Sequence, residues 1–172
     1  MKFNMVIKVC IFLIILVLIV IYFVKVHITK IRSKIILDKI DEALDDISIY
    51  LNDKKELILK TKDLVNDDYK ENFDEIDFDN FDDRGLDKIL NEINSKFQDE
   101  LIDDEKLLKN SEVKKLNEDI RDNDSSLEAS KKYYNDSVKK YNDLRDSSHI
   151  TKLFCHFKDF DLWEVKETKG SD

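Results

Sequence analysis

The sequence predicts an all-α protein, an N-terminal transmembrane helix continuing into an antiparallel three- or four-helix up-and-down bundle. Three observations predict it. The 172 residues contain no proline and two glycines, Gly85 and Gly170. Proline breaks helices and glycine weakens them, so long helices are permitted, while turn-rich β architectures lack the residues they need. Val9 to Val24 reads VCIFLIILVLIVIYFV, sixteen residues without a charged side chain. Beyond it, apolar residues recur in steps of three and four through strongly charged sequence, the period of amphipathic helices.

The anchor, residues 1–27, comes first. Met5, Val6 and Ile7 extend the apolar run backwards past Lys8, whose ammonium can snorkel to the interface. A helix over 5–24 supplies the roughly 20 residues that cross a hydrocarbon core of about 30 Å, so the lipid bilayer is its partner. A cleaved signal peptide would need a small-residue site after the core. Tyr22, Phe23, Val24, Lys25, Val26 and His27 offer none. Lys25, Lys30, Arg32, Lys34 and Lys39 follow the span, against Lys2, the amino terminus and Lys8 before it. The positive-inside rule then places the remaining chain on the cytoplasmic side of the cell membrane.

The bundle occupies 28–147. Its first helix, 28–66, carries Leu37, Ile40, Leu44, Ile47, Leu51, Ile58 and Val65, with Lys54 and Thr61 filling two gaps in the seam. Nothing between span and seam breaks a helix, so the two are expected to be continuous. An acidic connection, 67–85, follows. Residues 66–85 hold nine acids against Lys70 and Arg84. A calcium loop built on Gly85 would put Arg84 at a ligand position and Asn91 where a bidentate glutamate belongs, so the motif fails. The second helix, 86–102, carries Leu86, Leu90, Ile93, Phe97 and Leu101. The pattern weakens at 102–110. The third helix, 111–147, carries Val113, Leu116, Ile120, Leu127, Tyr134, Tyr141 and Leu144, with Asn123, Ser130 and Ser137 in the heptad gaps. The three are expected to run up, down and up.

In the third helix, YYNDSVKKYN repeats a Tyr-Asn pair one heptad apart. Tyr134, Val138 and Tyr141 are separated by steps of four and three and share one face. They are read as seam packing, with Asn135 and Asn142 flanking the seam and Lys139 and Lys140 on the wet side. The tail, 148–172, is dense in aromatics. It is either a strap over one end of the bundle or an interaction surface formed by Phe154, Phe157, Phe160 and Trp163. His149, Cys155 and His156 are too few for structural zinc, so neither metal nor cofactor is expected. Cys10 and Cys155 make no disulfide framework.

Three stretches resemble the LemA family in order. LDKIDEALDDISIYLNDKKELILKTKDLV, 37–65, is similar to the family's first soluble helix. SKKYYNDSVKKYN, 130–142, resembles the signature near the end of its last helix. LFCHFKDFDLWEV, 153–165, resembles its C-terminal Leu-Phe-Gly-Phe run and the aromatics beyond. The anchor matches in position. The chain departs from the family at Glu56-Leu57-Ile58-Leu59, where an Ile-Pro-Asn turn is usual, and at Arg145-Asp146-Ser147-Ser148, where Phe-Pro-Ser-Asn is usual. Cys155-His156 stands where glycine is expected. The resemblance implies a membrane-tethered antiparallel bundle and no catalytic residues.

Charge and motifs narrow the function. With 29 Lys+Arg against 38 Asp+Glu the formal net charge is −9, which argues against a nucleic-acid partner. No Gly-rich phosphate loop, G-x-S-x-G or H-E-x-x-H appears, so the reading is not an enzyme. The expected function is a single-pass, membrane-anchored scaffold or interaction protein with a protein partner that no motif names. The alternative is a stalk-like coiled-coil oligomer of a membrane complex, and a homo-oligomer stays open.

Overall fold

The computed structural model describes residues 2–62, 64–65, 73, 76–147 and 157–165, with side chains from residue 7 onward. Its elements are α1 (Lys2–Thr61), a 3-10 turn (Phe78–Asn80), α2 (Asp83–Asp103), α3 (Glu105–Lys109) and α4 (Ser111–Asp146). No strand occurs among the described residues. The protein is all-α, one long N-terminal helix with a packed helical bundle. The chain divides into two compact units, Met1–Asp41 with Asn135–Leu162, and Glu42–Tyr134 with Trp163–Asp172.

In the first unit, α1 begins with a stretch that is long and apolar enough to cross a membrane. Every described side chain from Ile7 to Ile21 is exposed. Further along, Val26, Thr29, Ser33, Ile36 and Leu37 are half-buried and Ile40 is buried, steps of three and four that give this part of the helix one covered face. From α4 the unit takes Val138 and Tyr141, both fully buried. Residues 157–162 add an irregular segment whose Phe157 and Phe160 are half-buried.

The second unit draws its core from Ala43, Ile47, Leu51 and Ile58 of α1, Leu86, Leu90, Ile93, Phe97 and Leu101 of α2, and Val113, Leu116, Ile120 and Leu127 of α4. Burying each large aliphatic side chain contributes about 1.5–3 kcal/mol before chain entropy is counted. Paired side chains give the directions. Lys62 lies over the ring of Phe73, and Lys55 over Phe78 and against Asp79, so Phe73 and the Phe78–Asp79 turn follow the end of α1 in reverse order. Asp87 pairs with Lys131, Asn94 with Asp124 and Gln98 with Asn117, so α2 and α4 are antiparallel. Lys54 meets Asp124, and Lys60 lines a cleft with Lys115, so α4 is antiparallel to α1 as well. Hence α1 and α2 run the same way. The expected up-down-up order of the three helices is corrected to up, up and down for α1, α2 and α4, with Phe73 and the Phe78–Asn80 turn set against the end of α1.

Boundaries move for local reasons. α1 ends at Thr61, short of the expected 66. There the Lys62 N–H turns back to the Leu59 carbonyl and the Thr61 hydroxyl donates to the Ile58 carbonyl at 2.6 Å. α2 begins at Asp83 rather than 86, because Asp82 caps it by accepting from the Gly85 N–H at 2.8 Å. Gly85, read as part of the connection, is thus the third residue of the helix. A Cβ there would stand 3.0 Å from both Asp82 Oδ1 and Phe81 Cδ1, so any larger residue requires the capping carboxylate and the Phe81 ring to shift by a few tenths of an ångström. Asp77 caps the 3-10 turn in the same manner, accepting from the Asp79 N–H. Part of the acidic connection is therefore capping chemistry. At 102–110, Asp104 and Asn110 cap α3 and α4 in turn, which divides this stretch where the apolar period weakens.

Candidate functional site

Two lysines lie inside the second unit. Lys54 is fully buried and Lys131 is 1% exposed. An ammonium taken from water without a partner is strongly destabilising, so each must meet opposite charge and hydrogen-bond acceptors. Lys54 Nζ pairs with Asp124 and donates to Asn91 Oδ1 at 2.8 Å. Lys131 Nζ pairs with Asp87 Oδ2 at 2.8 Å and Glu128 Oε1 at 3.0 Å.

These two clusters join. Asn91 Nδ2 donates to Asp87 Oδ1 at 3.1 Å, linking the acceptor of Lys54 to the carboxylate of Lys131. In the other direction Asn94 donates to Asp124 at 3.4 Å, and Gln98 donates to Asn94 at 3.4 Å and to Asn117 at 2.7 Å. A polar ladder therefore runs Lys131, Asp87, Asn91, Lys54, Asp124, Asn94, Gln98, Asn117. At its Lys131 end stands Trp163, 6% exposed. Lys131 Nζ lies 5.6 Å and Arg84 Cζ 4.7 Å from the ring centroid, both within cation–π range. A cleft beside this end is lined by Arg84, Asp87, Lys88, Asn91, Trp163 and Glu164.

The ladder follows from helical spacing. Asp87, Asn91, Asn94 and Gln98 each sit one residue after a buried apolar position of α2, in steps of four, three and four. Asn117, Asp124 and Lys131 are seven apart on α4. Both rows thus keep to one helix edge beside the apolar seam. The arrangement can set register. Sliding α2 past α4 by one turn would part Lys131 from Asp87 and Gln98 from Asn117, leaving buried charge uncompensated at several kcal/mol. Of these residues the sequence reading names only Lys54, as a gap in the seam, and Asn91, as a residue that spoils a calcium loop. The heptad repeat of Asn117, Asp124 and Lys131 was the available signal.

Outside the ladder two carboxylates are displaced from their ordinary range. The hydrogen bond from Lys55, and then its charge, lower Asp79. Burial, and then the neighbouring Asp82, raise Asp83.

The residues singled out from sequence divide between the units. In the first, the fully buried Tyr141 ring meets Phe157 edge-on at 5.4 Å and Phe160 at 5.5 Å, and its hydroxyl accepts from the Lys158 N–H at 3.1 Å. Val138 is fully buried, while Lys139 and Lys140 are exposed. Arg145 Nη1 pairs with Asp159 Oδ1 at 2.9 Å. In the second, Tyr134 is 3% exposed. Phe157 and Phe160 are half-buried against Tyr141 in the first unit, and Trp163 is buried beside Arg84 and Lys131 in the second. Phe154, Cys155, His149 and His156 lie outside the described residues.

Comparison with protein-family models, with curated proteins and with solved structures finds no match for this chain.

Proposed function

We propose that the protein is a single-pass membrane protein of the cell membrane, presenting its helical bundle on the cytoplasmic side as a non-catalytic scaffold or interaction protein. The observation that carries the reading is the change of character along α1. From Ile7 to Ile21 its side chains are apolar but for Lys8 and all exposed, whereas between Ile40 and Ile58 the residues Ile40, Ala43, Ile47, Leu51 and Ile58 turn inward and every charge except buried Lys54 and half-buried Lys55 turns outward. Exposed apolar side chains on every face of a helix suit a lipid solvent, and an amphipathic helix suits water. The excess of cations just after the apolar stretch supports the cytoplasmic orientation. The order of the three family-like stretches supports membership of the LemA family.

The ladder supports a scaffold over a site of turnover. Its lysines and carboxylates are held by one another, an arrangement suited to fixing helix register. It also supports a bundle closed within one chain over the stalk-like oligomer, since Lys54 and Lys131 find their partners without a second copy. The test is crosslinking of the full-length chain in its own membrane, followed by affinity capture. A second protein joined through the bundle surface is expected. Crosslinks only between copies of the chain, with an elongated dimeric mass, would favour the stalk.

A further inference from the structure

We propose that residues 25–39 of α1 form a binding collar for anionic lipid headgroups, an inference that rests on the membrane-anchor reading. In a chain of net charge −9, this stretch carries Lys25, Lys30, Arg32, Lys34 and Lys39 against Asp38 alone. The sign then reverses: Asp41, Glu42, Asp45 and Asp46 follow without a cation between them. All five cations are exposed, and no ion pair engages any of them among the described residues.

The collar also has an apolar component. Ile28, Ile31 and Ile35 are 44%, 48% and 51% exposed. At about 100° per residue they fall within one arc, roughly opposite the face marked by Val26, Thr29, Ser33 and Ile40. Lys25, Arg32 and Lys39 flank that arc on one side, Lys30 and Lys34 on the other. An apolar strip between cationic flanks suits the headgroup boundary, where alkyl groups enter the outer acyl region and ammonium and guanidinium groups meet phosphate and carboxylate.

Position decides for lipid over an acidic protein. α1 has no break between Val24 and Lys39. At about 1.5 Å per residue, Lys25 to Lys34 lie within roughly 15 Å of the end of the apolar run. That is the depth of a headgroup layer plus about one Debye length, the range over which an anionic surface attracts cations. Lys39 sits at the outer limit, and the acids from Asp41 onward begin where that attraction has faded.

The experiment reconstitutes the full-length chain in phosphatidylcholine vesicles carrying a trace of spin-labelled phosphatidylserine or spin-labelled phosphatidylcholine. The fraction of each probe immobilised at the protein is read at low and high salt. The serine probe is expected to be enriched about three- to fivefold at low salt, and much less at high salt. K25Q, K30Q, R32Q and K34Q combined should abolish the enrichment while the chain withstands an alkaline wash of the vesicles. Equal immobilisation of both probes by the unmodified chain overturns the collar and leaves its cations to an acidic protein. Enrichment that ignores salt overturns it without recourse to any variant, as does full enrichment in the fourfold variant. A chain that the alkaline wash removes overturns the anchor reading, and the collar with it.

Discussion

α4 holds its neighbours in two different ways along its length. Between Asn117 and Lys131 it uses charge, with half-buried Asp124 matched to buried Lys54 and buried Lys131 matched to Asp87. Between Val138 and Arg145 it uses an aromatic ring, Tyr141, with Phe157 and Phe160 against its edges. The difference concerns what each device secures. A ring buried among rings contributes through area and contact and tolerates small shifts. A buried ion pair contributes little net energy, because desolvation offsets attraction, but it penalises every wrong register. The ladder lies where helices must be aligned, and the ring where an irregular segment must be held.

Substitutions can break this contrast, and the largest effect is expected at the ring. Tyr141→Ala removes a fully buried aromatic and should cost about 3–5 kcal/mol in denaturant unfolding of the full-length chain in detergent. An unchanged midpoint would refute the packing role. Lys131→Ala comes next, at about 3 kcal/mol, the lower end for a broken buried pair. Its partners Asp87 and Glu128 retain 14% and 18% side-chain exposure, so water can recover part of the loss. A cost below that of an ordinary surface change would show that the ladder is ornamental.

Tyr141→Phe sharpens the comparison. It keeps the ring and loses only the hydroxyl that accepts from Lys158, so about 1 kcal/mol is expected. If it equals Tyr141→Ala, the hydroxyl and not the ring holds the segment. Smallest of all is Asp79→Asn, where a fully exposed carboxylate meets Lys55. Because Lys55 lowers the Asp79 pKa, the pair stabilises the fold above the ordinary carboxylate value of 3.8, and the contribution is lost as pH falls through the lower folded-state value. Solvent screens such a pair, so melting at neutral pH should hardly move and the variant should match the parent in acid.

How far the sequence is legible depends on the kind of signal. Apolar period alone places Ile47, Leu51, Leu90, Phe97, Ile120 and Tyr141 in the core, because a helix repeats its face every three or four residues and burial follows that face. Direction is harder to read. Phe73 and Asp79, which lie against the end of α1, stand in acidic sequence with a weak apolar stripe, so the sequence reads α2 as the descending partner of α1. Gly85 misled for a related reason: glycine signals a helix end in general, whereas here the Asp82 cap and Phe81 crowd the third helical position. The ladder was hidden because single polar residues within a seam look like defects until partners on other helices are placed against them. Lys131 and Asp87 are far apart in sequence and carry no local motif.

The central claim is that the apolar start of α1 lies in a bilayer, and Cys10 is a native probe of it. Its side chain is exposed on the helix surface, within the apolar run. With Cys155→Ser, Cys10 is the sole thiol in the chain. A thiol in hydrocarbon is kept from water and from the thiolate form on which alkylation depends. The measurement is labelling by a membrane-impermeant maleimide, in intact membranes and after solubilisation in dodecyl sulfate. The account predicts no labelling in membranes and full labelling in dodecyl sulfate; labelling at equal rates in both would contradict it.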